Sequence, residues 1–556
     1  MHRNVARRAS AVVACVALAA CARATPAQDR PPRVRTEAGV VEGAHFGDRA
    51  ANAVFRGIPF AAAPVGNLRW RPPQPVRAWR GVRRAIDPAP ICPQRRASTE
   101  FYAGLATRVG GRAVPLARRA MSEDCLYLDV WTPNLGGTSR LPVMVWIHGG
   151  GNVEGWGTQG IASGEPLVRN GVVLVIIEYR IGVLGFLADS ALSAESQHHS
   201  SGNYGLLDQI AALRWVQRNI AAFGGDPSRV TIFGQSSGAL DVTCLMASPL
   251  ARGLYQRAIS ESGACTGPFQ QLGRAVSSSG EYPPAEANGR RLAVDLHVDD
   301  APDRISAMRA VSADAIVATA AADPALPHEV IVDGWVIPEQ PDLVFLAGRQ
   351  DRTPLLIGSN ADEFRSLVRS MPVPTMRDYP ERLLQAAGNA QRIRALLPQL
   401  IAAYPASDTA TAEQRLFEAN TDGFGSGARF VARAMVRAGE PRVYRYVFTH
   451  VVPTPGGRAL GAFHGAEIPF VFGPEPGWPE SPHDADLRRA IMGYWTRFAA
   501  TGDPNALDRP LWPRYELTRE SVLDLGDSIH VVTHLRRAQF DALDAAQGVL
   551  DSLLAR

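Results

Sequence analysis

The 556-residue sequence contains no lysine: all 58 of its Lys+Arg positions are arginine. A phosphate loop of the G-x-x-x-x-G-K type, a Schiff-base centre and a Ser-x-x-Lys hydrolase each need a lysine at the reacting atom. All three are excluded. A surplus of one charge is missing too, because the formal net charge is only +4 and no long run of like charge occurs. The chain therefore carries no electrostatic footprint for nucleic acid. With 46% hydrophobic and 20% charged residues it reads as globular, long enough for one large domain or about three average ones.

Cysteine is scarce, at six residues, and two of these fall in the leader MHRNVARRASAVVACVALAACARATPAQ. There Arg3, Arg7 and Arg8 precede an apolar run shorter than the ~20 residues a membrane-spanning helix needs, which is the pattern of an export signal over residues 1–27. Two processing sites compete. Leu18-Ala19-Ala20-Cys21 resembles a bacterial lipoprotein box ending at residue 20 with Cys21 as the lipidated residue, and Ala22-Arg23-Ala24 offers an ordinary small-x-small site. Export places the four remaining cysteines, Cys92, Cys125, Cys244 and Cys265, in an oxidising compartment. Cys244 sits in a helical pattern and reads as a buried free thiol, with pairing to Cys265 as the alternative. No later segment is apolar enough to span a membrane, so membrane contact is expected only through a lipid anchor.

The chain shows no internal repeat. Up to about Pro90 it is rich in Pro and Gly with short alternating segments, suggesting hairpins and loops. From LPVMVWI (141–147) onward, continuous apolar strands alternate with helical patterns: GVVLVIIE (171–178), RVTIF (229–233), RAIS (257–260) and PLLIG (354–358). Strands apolar at every position are buried on both faces, so an α/β architecture is expected, with a mostly parallel central sheet covered by helices on each side. GLLDQIAALRWVQRNI places Leu206, Ile210, Leu213, Val216 and Ile220 at helical spacing. Two Ala-rich stretches, about 268–341 and 368–442, read as helical insertions over one edge of the sheet.

Gly234-Gln235-Ser236-Ser237-Gly238 joins a buried strand to a helix, the setting a G-x-S-x-G nucleophile elbow requires. Its glycines relieve crowding at the sharp turn, leaving Ser236 to project while Ser237 offers its backbone N–H. His148-Gly149-Gly150-Gly151 follows the strand VMVWI, and such a loop turns successive N–H groups towards one point, as an oxyanion hole needs. A rival from another class is Gly155-Trp156-Gly157-Thr158-Gln159-Gly160, a G-x-G-x-x-G match with Glu178 where a dinucleotide enzyme would hold a ribose. That fingerprint should begin immediately after its strand, and here several residues intervene.

With this elbow, the acid and base should follow the serine in the order Ser, acid, His. LLIGSNADEF supplies Asp362 and Glu363 beyond a buried strand, and His464 in GAFHGAEIPFVFG stands late in the chain beside glycine. The pair His198-His199 lies in a polar stretch and reads as a solvated loop.

FRGIPFAAAPVGNLRW, SEDCLYLDVWTP, the HGGG loop, GNYGLLDQIAALRWVQRNIAAFGGDPSRVTIFGQSSGA, GSNADE, FHGAEIPFVFG and YWTRFAATGDPN occur in this order across nearly the whole chain after the leader. In them the chain resembles the type-B carboxylesterases, the family that also includes cholinesterases and certain fungal lipases. The resemblance implies one α/β-hydrolase domain over residues 28–556, with helical insertions around a gorge. It implies hydrolysis of a small-molecule ester through an acyl-enzyme on Ser236, with Glu363 as acid, His464 as base and Gly150, Gly151 and Ser237 as oxyanion donors. It also implies a Cys92–Cys125 disulfide and chemistry without metal or cofactor. The alternative class is a non-catalytic adhesion or binding member of the same fold, which would be expected to lose the triad.

Four departures from the family's pattern occur, one of them GNVEGWG after the glycine loop in place of the more usual aromatic and serine residues, which bears on the shape of the acyl or alcohol pocket. Gln235 stands before the nucleophile where the family often has Glu, and the family's usual alanine after it is Ser237. Between Cys92 and Cys125, where cholinesterases carry a tryptophan for the choline ammonium, there is none. Quaternary ammonium recognition depends on such aromatic faces, so choline esters are not the expected substrate.

Overall fold

In the computed structural model of the chain, the described residues are 30–554 except 96–100, 113–118, 162, 276–282, 324–325, 327–328, 389–390 and 475–476. The expected signal segment and Cys21 lie outside them.

Eleven strands form the main sheet: β1 (Ala44–His45), β2 (Ala53–Pro59), β3 (Tyr127–Thr132), β4 (Leu141–Ile147), β5 (Val173–Ile177), β6 (Gly225–Gln235), β7 (Arg257–Glu261), β8 (Leu355–Asn360), β9 (Val443–Phe448), β10 (Ser521–Leu525) and β11 (Ile529–Thr533). Their spatial order is β11-β10-β9-β8-β7-β6-β4-β5-β3-β2-β1. From β5 through β4 and β6 to β10 every neighbouring pair is parallel, and the strands at both margins are antiparallel. A separate three-stranded sheet (Arg33–Arg35, Val40–Glu42, Val82–Arg84) accounts for the turn-rich N-terminal region.

The continuous apolar strands behave as the physics of a covered sheet requires. In β4, Val143, Val145 and Ile147 join one buried cluster while Met144 and Trp146 join another on the opposite face. In β5, Val173, Val175 and Ile177 alternate in the same way with Leu174 and Ile176. Helices cover each face. On one side lie α1 (Tyr204–Asn219) and α2 (Ser237–Ala247), whose residues Ile210, Leu213, Val242 and Leu245 enter the first cluster. On the other lies α4 (Pro482–Thr501), which contributes Ile491, Trp495 and Phe498 to the second.

The second insertion does not sit over an edge of the sheet. The 29-residue helix α3 (Thr409–Arg437) packs against β8 and β9, well inside the sheet, because Ala428, Val431, Ala432 and Met435 form an apolar stripe that the main core absorbs. The C-terminal helix α5 (Arg537–Leu554) packs on α3 in turn. Two disulfides are present among the described residues. Cys92 is joined to Cys125, and Cys244 is joined to Cys265 rather than standing free. Helical context does not exclude pairing, since β7 runs parallel beside β6 and returns the chain to α2 with the two Cα atoms 5.2 Å apart.

Candidate active site

The β6–α2 junction is a sharp turn. Gln235 ends the strand, Ser237 opens the helix, and Ser236 between them holds φ 59° and ψ −127°. A non-glycine residue there is strained, and the surroundings hold it in place. The Ser236 N–H donates to the Glu261 carbonyl of the neighbouring strand at 2.9 Å. The two glycines are steric necessities: a Cβ on Gly238 would lie 2.1 Å from the Ile147 carbonyl oxygen, and one on Gly234 would lie 2.6 Å from the Gly238 backbone.

Facing this turn, the loop after β4 adopts left-handed backbone at Gly150 (φ 116°) and Gly151 (φ 65°). Among the described residues, the N–H groups of Gly150 and Gly151 donate no hydrogen bond, which leaves them available to a ligand. The loop is fixed from behind. Asn152 donates its N–H to Ser237 Oγ at 3.1 Å and its side-chain amide to Asp241 at 2.9 Å, while Gln209 of α1 holds the second Asp241 oxygen at 2.6 Å. His148 stacks on Tyr179, and burial depresses its basicity to a pKa of about 4 against a small opposing effect of the Gly149 carbonyl. It stays neutral and structural.

His464 is buried at 5% exposure and its Nδ1 lies 2.6 Å from Glu363 Oε2. The other Glu363 oxygen accepts the Asn360 N–H at 2.7 Å, so the carboxylate is held at both ends. Burial pulls the His464 pKa down, but the Glu363 charge and hydrogen bond outweigh it and the net direction is upward. Asp362 points elsewhere. It accepts the Ala462 N–H at 3.0 Å and pairs with Arg365 at 3.1 Å, bracing the segment that leads to His464.

Two partners of this cluster were not legible in the sequence. Gln235 directs its side-chain amide at His464 Nε2 at 3.2 Å, so on the side facing the elbow the imidazole meets Gln235 and makes no described hydrogen bond to Ser236. This pairing assigns the Nδ1–H tautomer, with its proton towards Glu363. Glu467 bonds Asn360 from the far side, and its pKa is raised to about 7 by burial and by the charge of Glu363.

Ser236, Ser237, Gly151 and Asn152 line one cavity of 390 Å³, walled further by the chain after β7 and by Phe424 of α3. Phe424 also lies against the His464 ring at 5.2 Å. The G-x-G-x-x-G match is a turn that opens no helix after β4, and Glu178 accepts the Gly157 N–H at 3.1 Å instead of facing a ribose site. The dinucleotide reading is withdrawn.

A parallel sheet covered on both faces, a serine in strained backbone at a strand–helix junction and a glutamate-backed histidine define an α/β-hydrolase. The chain belongs to the carboxylesterase family, whose model matches residues 30–543. The fumonisin B1 esterase of Sphingopyxis macrogoltabida is 37% identical, over 95% of this chain and 92% of its own length. Carboxylesterase 1D of Rattus norvegicus is 34% identical, over 91% of each chain. Among solved structures, a PNB esterase is similar with a TM-score of 0.76 at 29% identity, covering 92% of this chain and 99% of that one. The protein is a carboxylic ester hydrolase of the serine esterase type.

Proposed function

We propose that Ser236 is the nucleophile of an esterase with Glu363 and His464 as its acid and base. His464 Nε2 takes the Ser236 proton as Oγ attacks the ester carbonyl, and returns it to the leaving alcohol. Glu363 holds the ring in the required tautomer and offsets its positive charge. The N–H groups of Gly150, Gly151 and Ser237 receive the oxyanion, where loss of one donor typically costs on the order of 10²–10³ in rate. Water, activated by the same histidine, then releases the acyl group. The observation that carries this reading is the 2.6 Å His464–Glu363 contact beside the strained Ser236. A fluorophosphonate probe should label Ser236, located by peptide mapping, and labelling at another serine would overturn the assignment.

We propose further that the protein is exported, either anchored to a bacterial outer membrane by lipid on Cys21 after a lipoprotein signal ending at residue 20, or secreted or periplasmic after an ordinary signal over residues 1–27. Two disulfides support the oxidising compartment. Metabolic labelling with a fatty acid should mark the wild type and not Cys21→Ser. An unlabelled mature chain beginning near Thr25 would reject the anchor.

A further inference from the structure

The cavity above Ser236 contains one ionisable group besides the catalytic cluster at its rim. Its described lining is otherwise neutral, with Thr266, Asn420, Phe269 and Phe424 prominent, and Glu329 is the exception. No arginine among the described residues lines it, although the chain carries 58. Among the described residues Glu329 has no hydrogen-bond or ion-pair partner. Its side chain is exposed at the cavity, where partial desolvation moves its carboxyl above the usual range.

This carboxylate is the one charged side chain that the described lining presents to a ligand in the Ser236 cavity, and no described cation offsets it. We propose that Glu329 is a specificity-determining anchor for esters bearing a protonated amine, with the R–NH3⁺ or R2NH2⁺ group of the bound substrate donating to its carboxylate while the ester carbonyl lies at Ser236. The inference rests on the esterase reading and deepens it. A primary or secondary ammonium fits better than a quaternary one, because the carboxylate oxygens accept N–H bonds that a quaternary nitrogen cannot offer. Charge-assisted hydrogen bonds are about twice as strong as neutral ones. The apolar walls accommodate the chain between the two polar ends.

The test uses the full-length protein and two inhibitors of matched shape, hexylammonium and hexanol, competing with the neutral ester p-nitrophenyl butyrate. Hexylammonium should bind about 10- to 100-fold more tightly than hexanol, the range expected of one hydrogen bond to a charged group. That preference should fall to near one in Glu329→Gln and persist in Asp314→Asn, an exposed acid on the helix Ala313–Ala322. Added salt should weaken hexylammonium and leave hexanol unaffected, a readout on the wild type that stands even if the variant fails to fold. Equal affinities in the wild type, or a preference that survives Glu329→Gln, overturns the proposal. Failure to hydrolyse the neutral ester would count against the esterase reading alone, since calorimetric binding of the same two ligands still reports on Glu329.

Discussion

The Asn152 N–H donates to the Ser237 hydroxyl at 3.1 Å, a bond that ties the glycine loop to the first residue of α2. Ser237 thus does more than lend its backbone. Its side chain ties the glycine loop to the elbow, the two halves of the proposed oxyanion site. Ser237→Ala should leave a buried N–H without an acceptor, lowering stability by about 1–3 kcal/mol. Its activity should drop measurably through the loosened loop, while Ser236→Ala falls to the residue left by oxyanion hole and binding, on the order of 10³–10⁴ over water. Paired kinetics and thermal unfolding check both, and equal losses in the two variants would refute the assignment of Ser236.

Glu363 and Asp362 are adjacent but differently employed. Glu363→Gln should cut kcat by up to about 10⁴, since His464 then loses both its counterion and its orienting acceptor. Asp362→Asn should cost far less, weakening the brace at Ala462. A severe Asp362→Asn with circular dichroism unchanged would reverse the roles.

The acid limb of kcat/KM should lie above the ordinary imidazole value of about 6.5. The sign follows from the site: below its pKa His464 already holds the proton it must accept from Ser236, and Glu363 moves that pKa up against the effect of burial. Glu363→Gln should shift the limb down. Gln235→Glu, which puts a carboxylate against Nε2, should shift it up. A pH profile of the three proteins decides, and a limb indifferent to both substitutions contradicts the arrangement.

Non-reducing peptide mapping should find Cys92 with Cys125 and Cys244 with Cys265. Opening the second bridge by Cys265→Ser should cost about 3 kcal/mol, the figure for a loop of this general length. An alkylatable Cys244 in the unreduced protein would disprove that pairing.

The elbow was readable from sequence because steric need at Gly234 and Gly238 restricts residue choice locally, and the order of Ser236, an acid and His464 follows from chain topology. The strands buried on both faces were readable for the same reason. β9 was not. Its sequence VYRYVF carries Arg445 at the centre of an apolar run, and only the fold reveals that the guanidinium donates to the Gly425 carbonyl and lies over Tyr515 and Phe540. The Gln235–His464 and Cys244–Cys265 contacts join residues 229 and 21 positions apart, and no local pattern encodes such meetings.

The close approach of Gly234 and Gly238 to Ile147 also acts as an alignment gauge. Gly234 pairs with Ile147 across β6 and β4, where a Cβ would meet the Ile147 carbonyl at 2.7 Å. A sheet apolar on both faces gives weak protection against slippage, since a shift by one residue exchanges one greasy side chain for another. At this one rung the exchange is forbidden, because a slip would bring Phe233 or Gln235 against a carbonyl that tolerates only hydrogen. The register of β6 against β4 beneath the elbow is therefore set by a hard steric stop in the sheet, and the Asn152 hydrogen bonds to Ser237 and Asp241 add a polar tie above it.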